Sequence, residues 1–137
     1  MNLPSDFHPA KELKTFETDS TLFWFDENIQ YVFCKPGIIH TLEHANEQVI
    51  EQAKHTKQIG VKQVSIICDV RQGIPLEKSV RDFYSSPERQ ETTLKFAFIV
   101  QSALSKVMAN FFINLRKMDV PIQMFTDIKE AKKWCNN

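Results

Sequence analysis

Two stretches of this chain, Val64–Val70 and Leu94–Val100, are almost unbroken apolar runs, and they constrain the fold more than any other feature of the sequence. Runs of that length read as strands buried on both faces, and so as the central strands of a sheet. The segments around them set the remaining order. Thr21–Phe25 and Ile29–Cys34 are rich in aromatic and β-branched residues, and the intervening Asp26-Glu27-Asn28 is turn chemistry, because Asn tolerates a positive φ. Together they predict a hairpin. Lys35-Pro36-Gly37 then breaks the sheet, and from Leu42 the apolar residues Leu42, Ala45, Val49 and Ala53, with Ile50 alongside, recur at helical spacing as far as Gly60.

Pro75 suits the first turn of a second helix carrying Leu76, Val80, Phe83 and Tyr84. That helix ends at Ser85-Ser86-Pro87, since the residue before proline disfavours the α region. Ser102 supplies the N-cap of a long helix with Leu104, Val107, Met108, Phe111, Leu115 and Met118 on one face. Pro121 separates it from a last strand, Ile122–Phe125, and Asp127 and Glu130 have capping-box spacing for a terminal helix ending at Trp134. The expected order is ββαβαβαβα. This is an α/β domain with a mixed, mostly parallel five-stranded sheet, an N-terminal antiparallel hairpin at one edge and about four helices. Residues 1–12, with Pro4, Pro9 and little apolar periodicity, read as a flexible arm, and 13–137 as a single domain.

Composition narrows the function classes. Seventeen basic residues balance seventeen acidic ones, so there is no net field to hold nucleic acid, an anionic membrane or an acidic substrate. No apolar stretch approaches the ~20 residues of a membrane span, and the first twenty residues lack the apolar core of a secretory signal. Cys34, Cys68 and Cys135 are odd in number, widely spaced and each in or beside an apolar element, which reads as three reduced thiols in a cytoplasmic protein. With only three glycines, a Walker or dinucleotide loop is excluded. His40 and His44 are four apart, the spacing that sets two imidazoles on one helix face, but no third ligand follows and His40 falls before the helix. Glu43, Glu47 and Glu51 form an ordinary solvated stripe. No metal site, cofactor or catalytic group is expected.

Three segments carry a resemblance: Asp69-Val70-Arg71 through Ser79-Val80-Arg81-Asp82-Phe83-Tyr84, then Leu104-Ser105-Lys106-Val107-Met108-Ala109-Asn110-Phe111-Phe112, then Phe125-Thr126-Asp127 through Glu130-Ala131 to Trp134. With the order of elements, they make the chain, from about residue 13 to its end, similar to the STAS family, the anti-sigma-factor-antagonist type of bacterial regulatory domain. The resemblance implies a STAS-like fold and a non-enzymatic, regulatory or protein-interaction role. In the better-known members, a serine at the start of the second helix, shortly after an aspartate ending the third strand, is phosphorylated to control partner binding. Asp69 matches that aspartate. Arg71-Gln72-Gly73-Ile74-Pro75 replaces the serine-containing turn, so the first candidate is Ser79, inside the expected helix, where the electrostatic advantage of a helix start has faded.

Other residues mark candidate binding surfaces. Arg71, Lys78, Arg81 and Arg89 gather positive charge near the C-terminal end of the central strand, where open α/β sheets commonly bind ligands, and with Asp69 they outline a loop for an anion or a partner. The competing reading pairs Arg71 and Arg81 with Asp69, Asp82 or Glu77 as structural ion pairs. In the hairpin, Leu22/Trp24 and Phe23/Phe25 are apolar on both faces, so something must cover the second: a second subunit, the N-terminal arm or an apolar ligand. Trp24, with Phe112 and Ile113 off the core face of the long helix, is the candidate interface of a homodimer. The expectation is therefore a dimeric interaction module with a protein partner, and the alternative is a domain that binds a small apolar or anionic ligand.

Overall fold

The computed structural model describes residues 3–101 and 119–137, as an α/β domain built on one six-stranded mixed sheet. The strands are β1 (Thr15–Glu17), β2 (Thr21–Asp26), β3 (Ile29–Cys34), β4 (Val64–Asp69), β5 (Thr93–Ile99) and β6 (Ile122–Phe125). They lie in the order of the chain, antiparallel from β1 to β3 and parallel from β3 to β6. The helices are α1 (Leu42–Ile59), α2 (Lys78–Tyr84), α3 (Pro87–Thr92) and α4 (Ile128–Cys135). None of them is long and apolar enough to cross a membrane. The long helix expected from Ser102, with Phe112 and Ile113, lies outside the described residues.

The sheet has one strand more than expected. The addition is β1, which pairs Phe16 with Phe23 across the edge of the hairpin. At three residues it is too short to register as a period. Its turn is made by side chains: the Thr18 hydroxyl accepts from the backbone N–H groups of Ser20 and Thr21 at 3.3 and 3.0 Å. The second helix also differs, starting at Lys78 rather than in the Pro75 turn, and Pro87 opens α3 instead of only closing α2.

Alternation along the strands separates two cores. Phe23, Phe25, Val32, Ile66, Cys68 and Phe98 face the side of Leu76 and Val80, while Trp24, Tyr31, Phe33, Ile67, Ala97 and Ile99 face Ile128, Ala131 and Cys135 of α4. The N-terminal segment joins the second core. Phe7 is only 2% exposed and sits 5.2 Å, centroid to centroid, from Trp24 and 6.0 Å from Tyr31. The expected flexible arm is thus packed down, because its single aromatic residue fills the ground beside Trp24. This also corrects the placing of Trp24 at a subunit interface: the ring is buried within its own chain, stacked on Tyr31 at 5.6 Å.

On the other side, α1 is capped at Thr41, whose hydroxyl accepts from His44 N while His44 Nδ1 accepts from Thr41 N, a capping box with imidazole in the place of Glu. It closes at Gly60, at φ +77°, a left-handed position that suits glycine. Its inward residues are Ala45, Gln48 and Gln52, whereas Leu42, Ile50 and Ala53 are exposed. The apolar stripe expected to face the sheet is therefore turned partly to solvent, and two glutamines take its place.

Candidate functional site

Because α1 presents glutamines, it does not fill the space over the sheet, and a cavity of about 70 Å³ remains between β3–β5 and the α1/α2 layer. Val32, Ile66, Phe96, Phe98, Leu76 and Val49 supply its apolar wall. The Val70–Ile74 loop closes one end tightly, since a Cβ on Gly73 would lie 2.8 Å from that of Cys34. Cys34 and Cys68 meet in the wall, with Sγ atoms 3.6 Å apart. Hydrogen bonding to Cys34, then burial, pushes the Cys68 thiol well above its ordinary range, so it is a neutral wall group rather than a nucleophile.

Polar groups converge on this cavity from both ends. Gln30, in the middle of an apolar strand and 2% exposed, accepts from Gln52 Nε2 at 2.9 Å through its Oε1. Its Nε2 has no partner among the described residues. A buried amide donor left unmatched costs about 1–3 kcal/mol, which makes it a group awaiting an acceptor. At the opposite end Ser20, buried just before β2, places its Oγ 2.7 Å from His40 Nδ1 and 2.8 Å from His44 Nδ1. His40 Nε2 is 2.7 Å from the Tyr84 hydroxyl, and their rings stack at 5.9 Å.

Proton positions along this chain follow from its fixed donors. The Thr41 amide points at His44 Nδ1, so that nitrogen is an acceptor and the Ser20 hydroxyl donates to it. Ser20 then accepts from His40 Nδ1–H, and His40 Nε2 accepts from the Tyr84 hydroxyl. Every link is satisfied with His40 neutral. Burial, and secondarily the neighbouring His44, pull the His40 pKa down to about 4, which keeps it so at physiological pH. Burial likewise pushes Tyr84 upward, keeping its phenol protonated. His44 Nε2 lies 3.9 Å from the Asp19 carboxylate. A serine beside histidine and aspartate invites comparison with a nucleophilic triad, but the Ser20 oxygen already serves two imidazoles inside the fold. It works as a link in a hydrogen-bonded chain.

The residues singled out from the sequence fall elsewhere. Asp69 is fully buried and takes Arg71 Nε at 2.9 Å and Nη2 at 2.8 Å, while the other edge of the guanidinium holds Asp6 of the N-terminal segment at 2.9 and 3.0 Å. The two carboxylates raise the Arg71 pKa and use its donors. Lys78 pairs with Asp82 at 2.8 Å, and Arg81 Nη1 donates to the Leu76 carbonyl at 3.3 Å. Ser79 is exposed at the second position of α2, closer to the helix start than expected. Of the four basic residues, Arg89 alone lines the cavity. Among the described residues no group of three or more metal-ligating side chains comes together; His40 and His44 turn to Ser20 instead.

The sequence reading missed Gln30, Gln48, Gln52, Ser20 and Tyr84. The available signal was polarity at inward positions: a glutamine inside Ile29–Cys34, and two more at the α1 positions next to Ala45.

These features define an α/β sheet domain with one closed face and one face holding a polar-ended apolar cavity. Residues 23–137 match the model of the family described as Domain of unknown function (DUF7793), and the chain belongs to that family. No curated protein matches the chain. No solved structure matches it.

Proposed function

We propose that this chain is a non-enzymatic binding domain that takes a small, mainly apolar ligand between the sheet and the α1/α2 layer. The observation that carries the reading is the buried Gln30 Nε2, unpartnered among the described residues, in the wall of a mainly apolar cavity with polar ends, the combination of shape and convergent polar groups by which small-molecule sites are recognised. Three free thiols, at Cys34, Cys68 and Cys135, suit a reducing, cytoplasmic setting. Native mass spectrometry of protein as isolated from cells tests it. A small mass that leaves on denaturation, and is lost in Val49→Phe, which fills the cavity from α1, is the expected result; bare protein in both would count against the reading.

The STAS-like resemblance supports a second reading, a regulatory module that binds a protein partner or a second copy of itself. Exposed apolar residues favour it: Ile38 and Ile39 before α1 and Leu42 and Ile50 on it, Ile50 by 54%. Sedimentation equilibrium decides the homodimer form. A dimer that Ile50→Lys converts to monomer would support it, and a wild-type monomer across the accessible concentration range would remove it.

A further inference from the structure

We infer that the ligand of this cavity is a short-chain apolar carboxylic acid, bound as the carboxylate with its head on Arg89. The inference rests on the cavity being a binding site. Among the described residues two cations line the cavity, and they differ in commitment. Lys35 is bound to Glu17 and to the Thr18 carbonyl. Arg89 is half-buried, and among the described residues its guanidinium has no carboxylate; it lies over the Phe83 ring at 6.0 Å. A planar guanidinium partly withdrawn from water calls for a bidentate anion, and carboxylate geometry fits it.

Position and size narrow the ligand further. Arg89 precedes β5 by one turn of α3, with its carbonyl accepting from the Thr93 hydroxyl at 2.9 Å, so it stands at the end of the cavity where the parallel strands begin. Gln30 lies one register step further in, beside Ile66 and Phe96, and its free Nε2 offers an inner donor. Beyond it the wall is Val32, Phe98 and Cys68. A head bearing two negative charges, such as a phosphate ester, would carry one charge more than Arg89 matches. The volume of about 70 Å³ limits the tail to a short one.

Isothermal titration of the full chain at neutral pH with hexanoate and with 1-hexanol, which share a tail and differ in the head, is the test. Hexanoate is expected to bind about tenfold more tightly, the value of one charge-assisted contact. Arg89→Met should bring the affinity of the acid down to that of the alcohol, and Arg89→Lys should keep part of the difference. Equal binding of acid and alcohol by the wild type, or a preference for the acid that survives in Arg89→Met, would overturn the assignment of the head group and leave the cavity as a binding site. Failure of both probes to bind would remove the cavity reading, and this inference with it.

Discussion

On the α4 face, alternate residues of β2–β5 meet Phe7, Ile128, Ala131 and Cys135 in packing that, among the described residues, is closed and mainly apolar around the buried Ser65 and Asp69; on the α1 face the neighbouring residues of the same strands meet Ala45, Gln48 and Gln52 and leave a cavity. Ile and Phe from the strands lie on both sides, so much of the difference comes from what is laid over them. A covering element that presents apolar side chains is pulled down until the gaps close. One that presents amides stops where its hydrogen bonds are made, and between those points space persists. The α4 face is thus packed for stability, and the α1 face leaves a cavity at some cost in stability.

The largest expected effect tests the closed face. Phe7→Ala removes a buried ring that ties the N-terminal segment to Trp24 and Tyr31, and should cost about 3 kcal/mol in urea unfolding. A loss below about 1 kcal/mol would mean that the α4 face is closed without the segment. A somewhat smaller effect distinguishes the α1 face by pH. His40 has a folded pKa near 4 against an ordinary 6.5, so the unfolded chain binds its proton first; stability is full above about pH 6.5, falls as pH drops, and levels off below about pH 4. The span is worth roughly 3 kcal/mol at most. Unfolding midpoints from pH 8 to pH 4 should therefore slope in the wild type and lose most of that slope in His40→Gln. The smallest effect is also the sharpest contrast: Gln30→Leu with Gln52→Leu removes both partners of a buried amide pair and should change stability by less than about 1 kcal/mol while abolishing ligand uptake. If the double variant instead lost several kcal/mol, the glutamines would be structural and the two faces would be alike in purpose.

Much of the sheet was legible because buried strands and helical periods are local signals. Val64–Asp69 and Thr93–Ile99 follow their apolar runs closely, and α1 runs from Leu42 to the residue before Gly60, as its spacing and its C-terminal glycine indicate. The strand at Thr15–Glu17 was not legible, since its pairing depends on a turn built from the Thr18 side chain. The facing of α1 was misread for a related reason. Leu42, Ala45, Val49 and Ala53 form an acceptable apolar stripe, of which Ala45 does turn inward, and only the acceptor supplied by Gln30, on β3, shows why Gln52 turns inward as well. The candidate site was the least legible part. Ser20, the His40/His44 pair and Tyr84 lie on three separate segments, and the partner that occupies Arg71, Asp6, is 65 residues away. Charge clustered along the chain near Arg71 suggested an anion site, whereas in space the nearest anions belong to the protein.

The strand order has a consequence for how the chain folds. Each strand hydrogen-bonds to the strand before it, from β1 through β6, so none has to be threaded between two that are already paired. The antiparallel β1–β3 ribbon closes over short loops and can form early on its own edge, whereas β4, β5 and β6 each wait for a crossover, with the entropic cost of its longer loop. Assembly can then advance in one direction from the ribbon. The growing edge is always the most recently added strand, which makes the edge that awaits β6 the point most open to pairing with a neighbouring chain while folding is incomplete.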